Sequence, residues 1–141
     1  MRLLLLLAGS TAAVLVACSS DTGTTSGSSG TTEEPRFKRD VMPIVRESCA
    51  LTACHSSEAK NLGIYLSNDA AQVYTELQKT SAQSGQKFVV AGDPTKSYLM
   101  TKLDNKQSSP QQGTQMPPDA LLPVGDRDTI RAWIKAGAKN D

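Results

Sequence analysis

The sequence predicts a small all-α domain of about four short helices joined by extended loops. From residue 37 onward, short stretches carry apolar residues three and four positions apart, which is the period of a helix buried on one face. Alternation typical of strands never extends beyond a few residues, and no internal repeat is present. The short apolar runs 62–66 and 88–90 are therefore expected to be extended connections.

The first predicted helix covers residues 40–48. Asp40 can cap its N-terminus, and Pro43 then falls in the first turn, where the missing N–H costs little. This helix delivers Cys49 at its C-terminal end. The apolar stripe that identifies it consists of Phe37, Val41, Ile44, Val45 and Cys49.

The second predicted helix covers residues 69–81. Ser67 or Asn68 precedes it and can cap its first turn. We expect this helix to bury Val73, Tyr74 and Leu77.

Two further helices are predicted in the C-terminal half. Asp93 is the expected cap of the third helix, with Pro94 at the first helical position. The last helix begins near Asp126, turns Trp133 toward the core and ends before Gly137. The buried side of the third helix is expected to contain Leu99, Met100 and Leu103.

Residues 1–17 predict a secretory signal. Arg2 precedes an apolar run that is short for a membrane span, which takes roughly 20 residues. The end of the run, Leu15-Val16-Ala17-Cys18, resembles the bacterial lipoprotein signal, in which the cysteine is lipidated and becomes the new N-terminus. We therefore expect an exported protein that is lipidated on Cys18; an ordinary signal peptide with a chance cysteine is the alternative.

Residues 18–36 predict a flexible tether between the lipid and a domain at residues 37–141. The tether is rich in Ser, Thr and Gly, so it cannot bury enough apolar surface to offset its ordering entropy. Ser19 after the cysteine resembles the sorting signals that favour the outer membrane. The expected location is a bacterial membrane facing the periplasm.

The charge balance excludes nucleic acid as an expected partner. Without Arg2, which leaves with the signal, the 15 basic side chains become 14, against 14 acidic ones. No basic cluster of the kind that binds nucleic acid is present. Cys49 and Cys54 then remain, and in an exported protein we expect them in a disulfide or bound to a covalent cofactor.

Residues 49–55 begin with Cys49 and end with Cys54 and His55. The segment thus contains two thiols, and an imidazole follows the second one directly. This arrangement holds a haem: the thiols add to the two vinyl groups, and the histidine becomes the proximal iron ligand. The usual motif is C-x-x-C-H, whereas four residues separate the cysteines here. Met116 lies before two prolines in a polar loop, and its thioether is the candidate sixth ligand.

Together with these motifs, the order of four segments resembles the single-haem class I cytochrome c domain. The resemblance implies that Cys49 and Cys54 attach one haem c, that His55 and Met116 ligate iron, and that the first and last helices pack together. It implies an electron carrier with a redox partner protein rather than an enzyme. The four segments are residues 41–55, 92–99, 115–118 and 131–138.

Two other classes of protein stay open at this point. A Cys49–Cys54 disulfide would close a short loop and contribute about 2 kcal/mol, leaving a haem-free binding or structural module on the same fold. A haem protein with an open sixth position would instead bind a small gas, and Met116 would not ligate. A zinc site is disfavoured because two cysteines and one histidine fall one ligand short of a closed tetrahedron.

Overall fold

The computed structural model describes residues 33–57 and 63–141. These residues belong to one compact unit, Thr32–Asp141. The signal at 1–17, Cys18 and the tether up to residue 32 lie outside the described residues, as do residues 58–62, so those predictions stay predictions. In the described part, no helix has the length and apolar character needed to cross a membrane.

The all-α class is confirmed. The four helices are α1 (Met42–Ser48), α2 (Ala70–Leu77), α3 (Tyr98–Leu103) and α4 (Val124–Lys135). A π-helical turn, Phe37–Val41, runs directly into α1, and a short 3-10 helix, Pro110–Gln112, lies between α3 and α4. Within residues 33–57 and 63–141 there is no strand, and the only β-type pairing is an isolated bridge between Thr80 and Lys87.

The first helical segment begins at Phe37, three residues before the predicted start. Asp40 does not cap the turn that contains Pro43; its carboxylate accepts a hydrogen bond from the Arg36 N–H at 2.6 Å. The turn is π-helical, with the Met42 N–H donating to the Phe37 carbonyl. Because Pro43 has no N–H and its ring crowds the carbonyl four residues earlier, a wider turn before the proline relieves the helix.

The second helix ends at Leu77, four residues earlier than predicted. The chain then turns back, and the Phe88 N–H donates to the Lys79 carbonyl at 3.0 Å, so these backbone groups serve the turn rather than the helix. Its cap is Asp69 instead of Ser67 or Asn68, because the Asp69 carboxylate accepts from two N–H groups of the first turn. Val73 and Leu77 are buried as predicted.

The third helix begins at Tyr98 rather than after Asp93. Asp93 is a cap, but of a separate turn: its carboxylate accepts from the N–H groups of Thr95 and Lys96 at 3.0 and 3.2 Å. Ser97 ends this turn, since its hydroxyl donates to the Asp93 carbonyl and accepts from the Val90 N–H. The predicted helix start is therefore a turn followed by a short helix.

The first and last helical segments pack together, as the resemblance implied. Phe37 and Trp133 are both fully buried, and their ring centroids are 5.2 Å apart. Helix α4 begins two residues before the predicted start and ends before Gly137, which has φ +100°. This left-handed geometry favours glycine and lets the Ala138 N–H reach the Trp133 carbonyl.

An ion-pair cluster joins the end of α3 to α4. The Asp104 carboxylate accepts two hydrogen bonds from Arg131, both 2.8 Å, and one from Arg127 at 3.0 Å. Burial alone would raise the pKa of Asp104, but the hydrogen bonds from Arg131 and Arg127 outweigh it and hold the pKa below its usual range. The cluster fixes the point at which the 104–123 connection leaves α3.

We predict that Asp104→Ala lowers the free energy of unfolding by about 2 kcal/mol, because it removes a largely buried carboxylate and leaves two guanidinium groups without it. Urea unfolding at pH 7 measures the loss. Since the folded-state pKa of Asp104 is depressed, its contribution is complete above a pH of about 4 and is lost as the pH falls through the folded-state pKa. The difference between wild type and variant should therefore shrink on acidification.

The matched control is Asp128→Ala. Asp128 also pairs with Arg131, but its side chain is 61% exposed against 10% for Asp104. Removing such an exposed pair should change stability by less than about 1 kcal/mol. Equal losses in the two variants would contradict the role given to Asp104.

Candidate functional site

The loop from Cys49 to His55 closes on itself. The Cys49 N–H still donates to the Val45 carbonyl at 2.9 Å, so this cysteine lies on the last turn of the helix. The His55 N–H donates back to the Cys49 carbonyl at 3.2 Å, which brings the ends of the loop together. The Cys54 N–H bonds the Leu51 carbonyl at 2.8 Å, and the Leu51 side chain is 45% exposed. The four intervening residues therefore form a turn that points outward. This turn accommodates the two residues by which the spacing of the cysteines exceeds that of C-x-x-C-H.

The Ile64 carbonyl orients the His55 ring. Its Nδ1 lies 3.3 Å from the Ile64 carbonyl oxygen, and because a carbonyl can only accept, Nδ1 carries the proton in this contact. In the neutral ring the lone pair then lies on Nε2. The Leu66 N–H donates to the His55 carbonyl at 2.7 Å and ties the same residue to the 64–66 segment. In metal sites, a hydrogen bond at one ring nitrogen of a histidine usually fixes the tautomer and the ring orientation, and the other nitrogen binds the metal.

A cavity of about 410 Å³ is lined by Cys49, His55 and Met116 together. Its volume lies in the range of small-molecule and cofactor sites, roughly 300–1,000 Å³. A smaller cavity of about 120 Å³ shares these three residues and adds Cys54. The structure thus brings together the four predicted site residues of the domain. The apolar part of the larger cavity is made by Ile64, Leu66, Phe88, Leu99 and Leu103.

Hydrogen bonds to α3 hold Met116 at the cavity. The Met116 N–H donates to the Lys102 carbonyl at 3.0 Å, and the peptide bond to Pro117 is cis. Met42 and Met100 are also buried, but they belong to the hydrophobic core and do not line the cavity. Among residues 33–57 and 63–141, Met116 is therefore the methionine that lines this cavity.

Sequence reasoning missed the side chains that hold the loop before Met116. Lys102 is only 8% exposed, and its ammonium donates to the carbonyls of Gln112 (2.9 Å) and Thr114. The Tyr98 hydroxyl donates to the same Gln112 carbonyl at 2.6 Å. Burial lowers the pKa of Lys102 and raises that of Tyr98. The sequence contained one indication that these two side chains act together. Tyr98 and Lys102 are four residues apart, which places both on the buried face of α3.

Cys49 and Cys54 carry free thiols in this structure. Burial raises the pKa of the Cys49 thiol to about 11, and the neighbouring Cys54 adds to the shift. Because the thiolate is the nucleophile, a thiol that stays protonated at neutral pH is poorly suited to catalysis. The raised pKa therefore makes Cys49 a weak nucleophile at neutral pH.

No family model matches the chain, and no curated protein matches it. The solved structure of hydrazine synthase from Kuenenia stuttgartiensis has a similar fold, with a TM-score of 0.50 and 22% sequence identity. The likeness covers 74% of this chain and 16% of that one, so this chain spans about a sixth of the neighbour's length. At this identity the likeness concerns the fold alone.

We predict that Gly113→Ala destabilises the protein by about 1–3 kcal/mol, because Gly113 has φ +65° and ψ −156°, a region that is nearly restricted to glycine. An added Cβ would also lie 3.0 Å from Gln83 Nε2 and 3.3 Å from Lys102 Nζ. Thermal unfolding measures the loss.

The control is Gly125→Ala in the first turn of α4, where a Cβ meets nothing within 4 Å. Alanine is the better helix former, so this change should be neutral or stabilising by up to about 1 kcal/mol. A stabilising Gly113→Ala would show that the loop does not need this backbone geometry.

Proposed function

We propose that this protein is an exported, lipid-anchored c-type cytochrome that binds one covalent haem and transfers single electrons in the periplasm. One observation carries the proposal: Cys49, His55 and Met116 line one cavity, with Cys54 at its smaller neighbour. Two thiols, an imidazole and a thioether are the groups that attach a haem c and ligate its iron. In this proposal the protein is an electron carrier and not an enzyme.

The cavity fits such a group. Cys49 and Cys54 would attach the two vinyl groups: Cys49 lines both cavities, and Cys54 lines the smaller one. The apolar residues that surround the cavity suit a macrocycle and limit the access of water. The domain has about 105 residues, and aromatic residues make up only 4% of the whole sequence, so a bound macrocycle would add apolar volume to a small core.

The haem would supply one-electron chemistry at its iron, and the chain sets the conditions for it. His55 would ligate through Nε2, because Nδ1 donates to the Ile64 carbonyl, and this contact holds the ring orientation. Met116 would supply the sixth ligand from a backbone that α3 holds in place. A thioether at this position raises the reduction potential.

The lipid on Cys18 and the tether at 18–36 are the proposed membrane anchor. The tether would give the domain reach from the membrane surface toward a redox partner protein. Ser19 favours the outer membrane in this proposal.

The deciding experiment expresses the full chain in an exporting host with c-type haem maturation and records its intact mass and absorption spectrum. We expect the mass of one haem, a lipidated Cys18 as N-terminus and a Met–iron absorption band. A mass without haem that is two hydrogens below that of the reduced chain would indicate a disulfide. This result would overturn the proposal in favour of a disulfide-bonded module. A haem adduct that takes up carbon monoxide freely and lacks the Met–iron band would indicate a gas-binding protein.

We predict that Met116→Leu lowers the midpoint potential and abolishes the Met–iron band, because leucine keeps the volume but has no sulfur. Optical redox titration measures both. Met100→Leu is the matched control: it makes the same exchange in the core of α3, where a volume-conserving swap is well tolerated. If Met116→Leu behaves like Met100→Leu, Met116 is not an iron ligand.

A further inference from the structure

Lys102 is a buried cation on the wall of the cavity. It projects from α3, and its ammonium has two carbonyl acceptors, leaving one of its three N–H donors for another group. No ion pair joins Lys102 to a carboxylate among residues 33–57 and 63–141. The described residues that line the cavity include no Asp or Glu. A buried charge is costly unless it is paired, so this position favours an anionic partner.

A second nitrogen converges on the same place. The position that a Cβ on Gly113 would occupy lies 3.0 Å from Gln83 Nε2 and 3.3 Å from Lys102 Nζ. Gln83 Oε1 lies 3.5 Å from the same position, so the amide end of Gln83 and the ammonium of Lys102 lie together beside Gly113. Gln83, Lys102 and Gly113 all line the cavity. The Tyr98 hydroxyl has already donated to Gln112, so the ammonium and the amide are the donors that converge beside Gly113.

We infer that Lys102 and Gln83 form a carboxylate-binding subsite beside Gly113, and that it holds a propionate of the haem. The inference rests on the proposed function and adds the orientation of the macrocycle: the propionate edge faces Lys102, and the vinyl edge faces the cysteines. An ammonium and an amide together offer a carboxylate one charge-assisted and one neutral hydrogen bond. Lys102 is a positioning residue and not an iron ligand in this arrangement.

The test uses the haem-loaded full chain and follows its midpoint potential from pH 4 to pH 9. An opposite charge within about 4–6 Å lowers the pKa of a carboxyl group by about 1–3 units. In Lys102→Met we therefore expect the propionate-linked step in the potential to move to higher pH by about 1–3 units. At neutral pH the midpoint potential should fall, because a positive charge near the haem favours the reduced iron. Lys102→Arg should restore both properties, and Gln83→Leu should shift the step in the same direction by less.

Lys135→Met is the matched control, since Lys135 is exposed on α4 and lines none of these cavities. The Met–iron band checks that the loop is intact in each variant. A haem-loaded Lys102→Met with an unshifted step overturns the subsite and leaves the proposed function standing. Absence of haem from the wild type overturns both.

The carboxylate could also come from a free organic acid. In that case added acetate would change the midpoint potential of the wild type and not that of Lys102→Met. Such a result overturns the assignment to the propionate. A wild-type potential that is independent of acetate supports it.

Discussion

The site depends on the hydrogen bonds by which α3 holds the segment that follows it. Lys102 contributes to this in two ways: its ammonium binds the carbonyls of Gln112 and Thr114, and its own carbonyl accepts from the Met116 N–H. Tyr98 adds a fourth bond to the same loop. A polar connection of this length would not otherwise hold a methionine beside a histidine that is 61 positions earlier in the chain. The Asp104 cluster fixes the start of the same connection against α4.

The hydrophobic core leaves one side of the molecule to the cavity. The rings of Phe37, Tyr74 and Trp133 pack together and join the first helical segment to α4. The cavity is bounded by other elements: the end of α1, the 64–66 segment, α3 and the loop to Met116. A group bound there would contact segments that are distant in sequence. A group that is held there only in the folded state would therefore stabilise that state.

The sequence was sufficient for the fold class and for three residues of the cavity lining, Cys49, His55 and Met116. Helical periodicity follows from burial on one face, so it can be recognised in the sequence. Helix ends were less predictable, because a capping residue serves whichever turn is nearest. Asp93 caps a short turn instead of α3, and Asp40 closes a π-helical turn whose cause, Pro43, lies downstream.

Lys102 was not predicted because a long charged side chain is ordinarily exposed. Its burial follows from tertiary contacts that the sequence does not display: a neighbouring loop supplies two carbonyl oxygens at the depth of its ammonium. The role of Gly113 was hidden for the same reason. Both residues became interpretable only when the cavity and its lining were known.

The outward turn between Cys49 and Cys54 has a consequence for how related chains are recognised. The His55 N–H bonds the Cys49 carbonyl across this turn, so the turn can vary in length while its two ends stay in place. The number of residues between the thiols is then a property of a surface loop, and loop length is among the most freely varied features of a protein. A motif that requires a fixed number of residues between the two cysteines therefore describes only one length of this turn. The hydrogen bond from the His55 N–H to the Cys49 carbonyl describes the geometry without reference to that length.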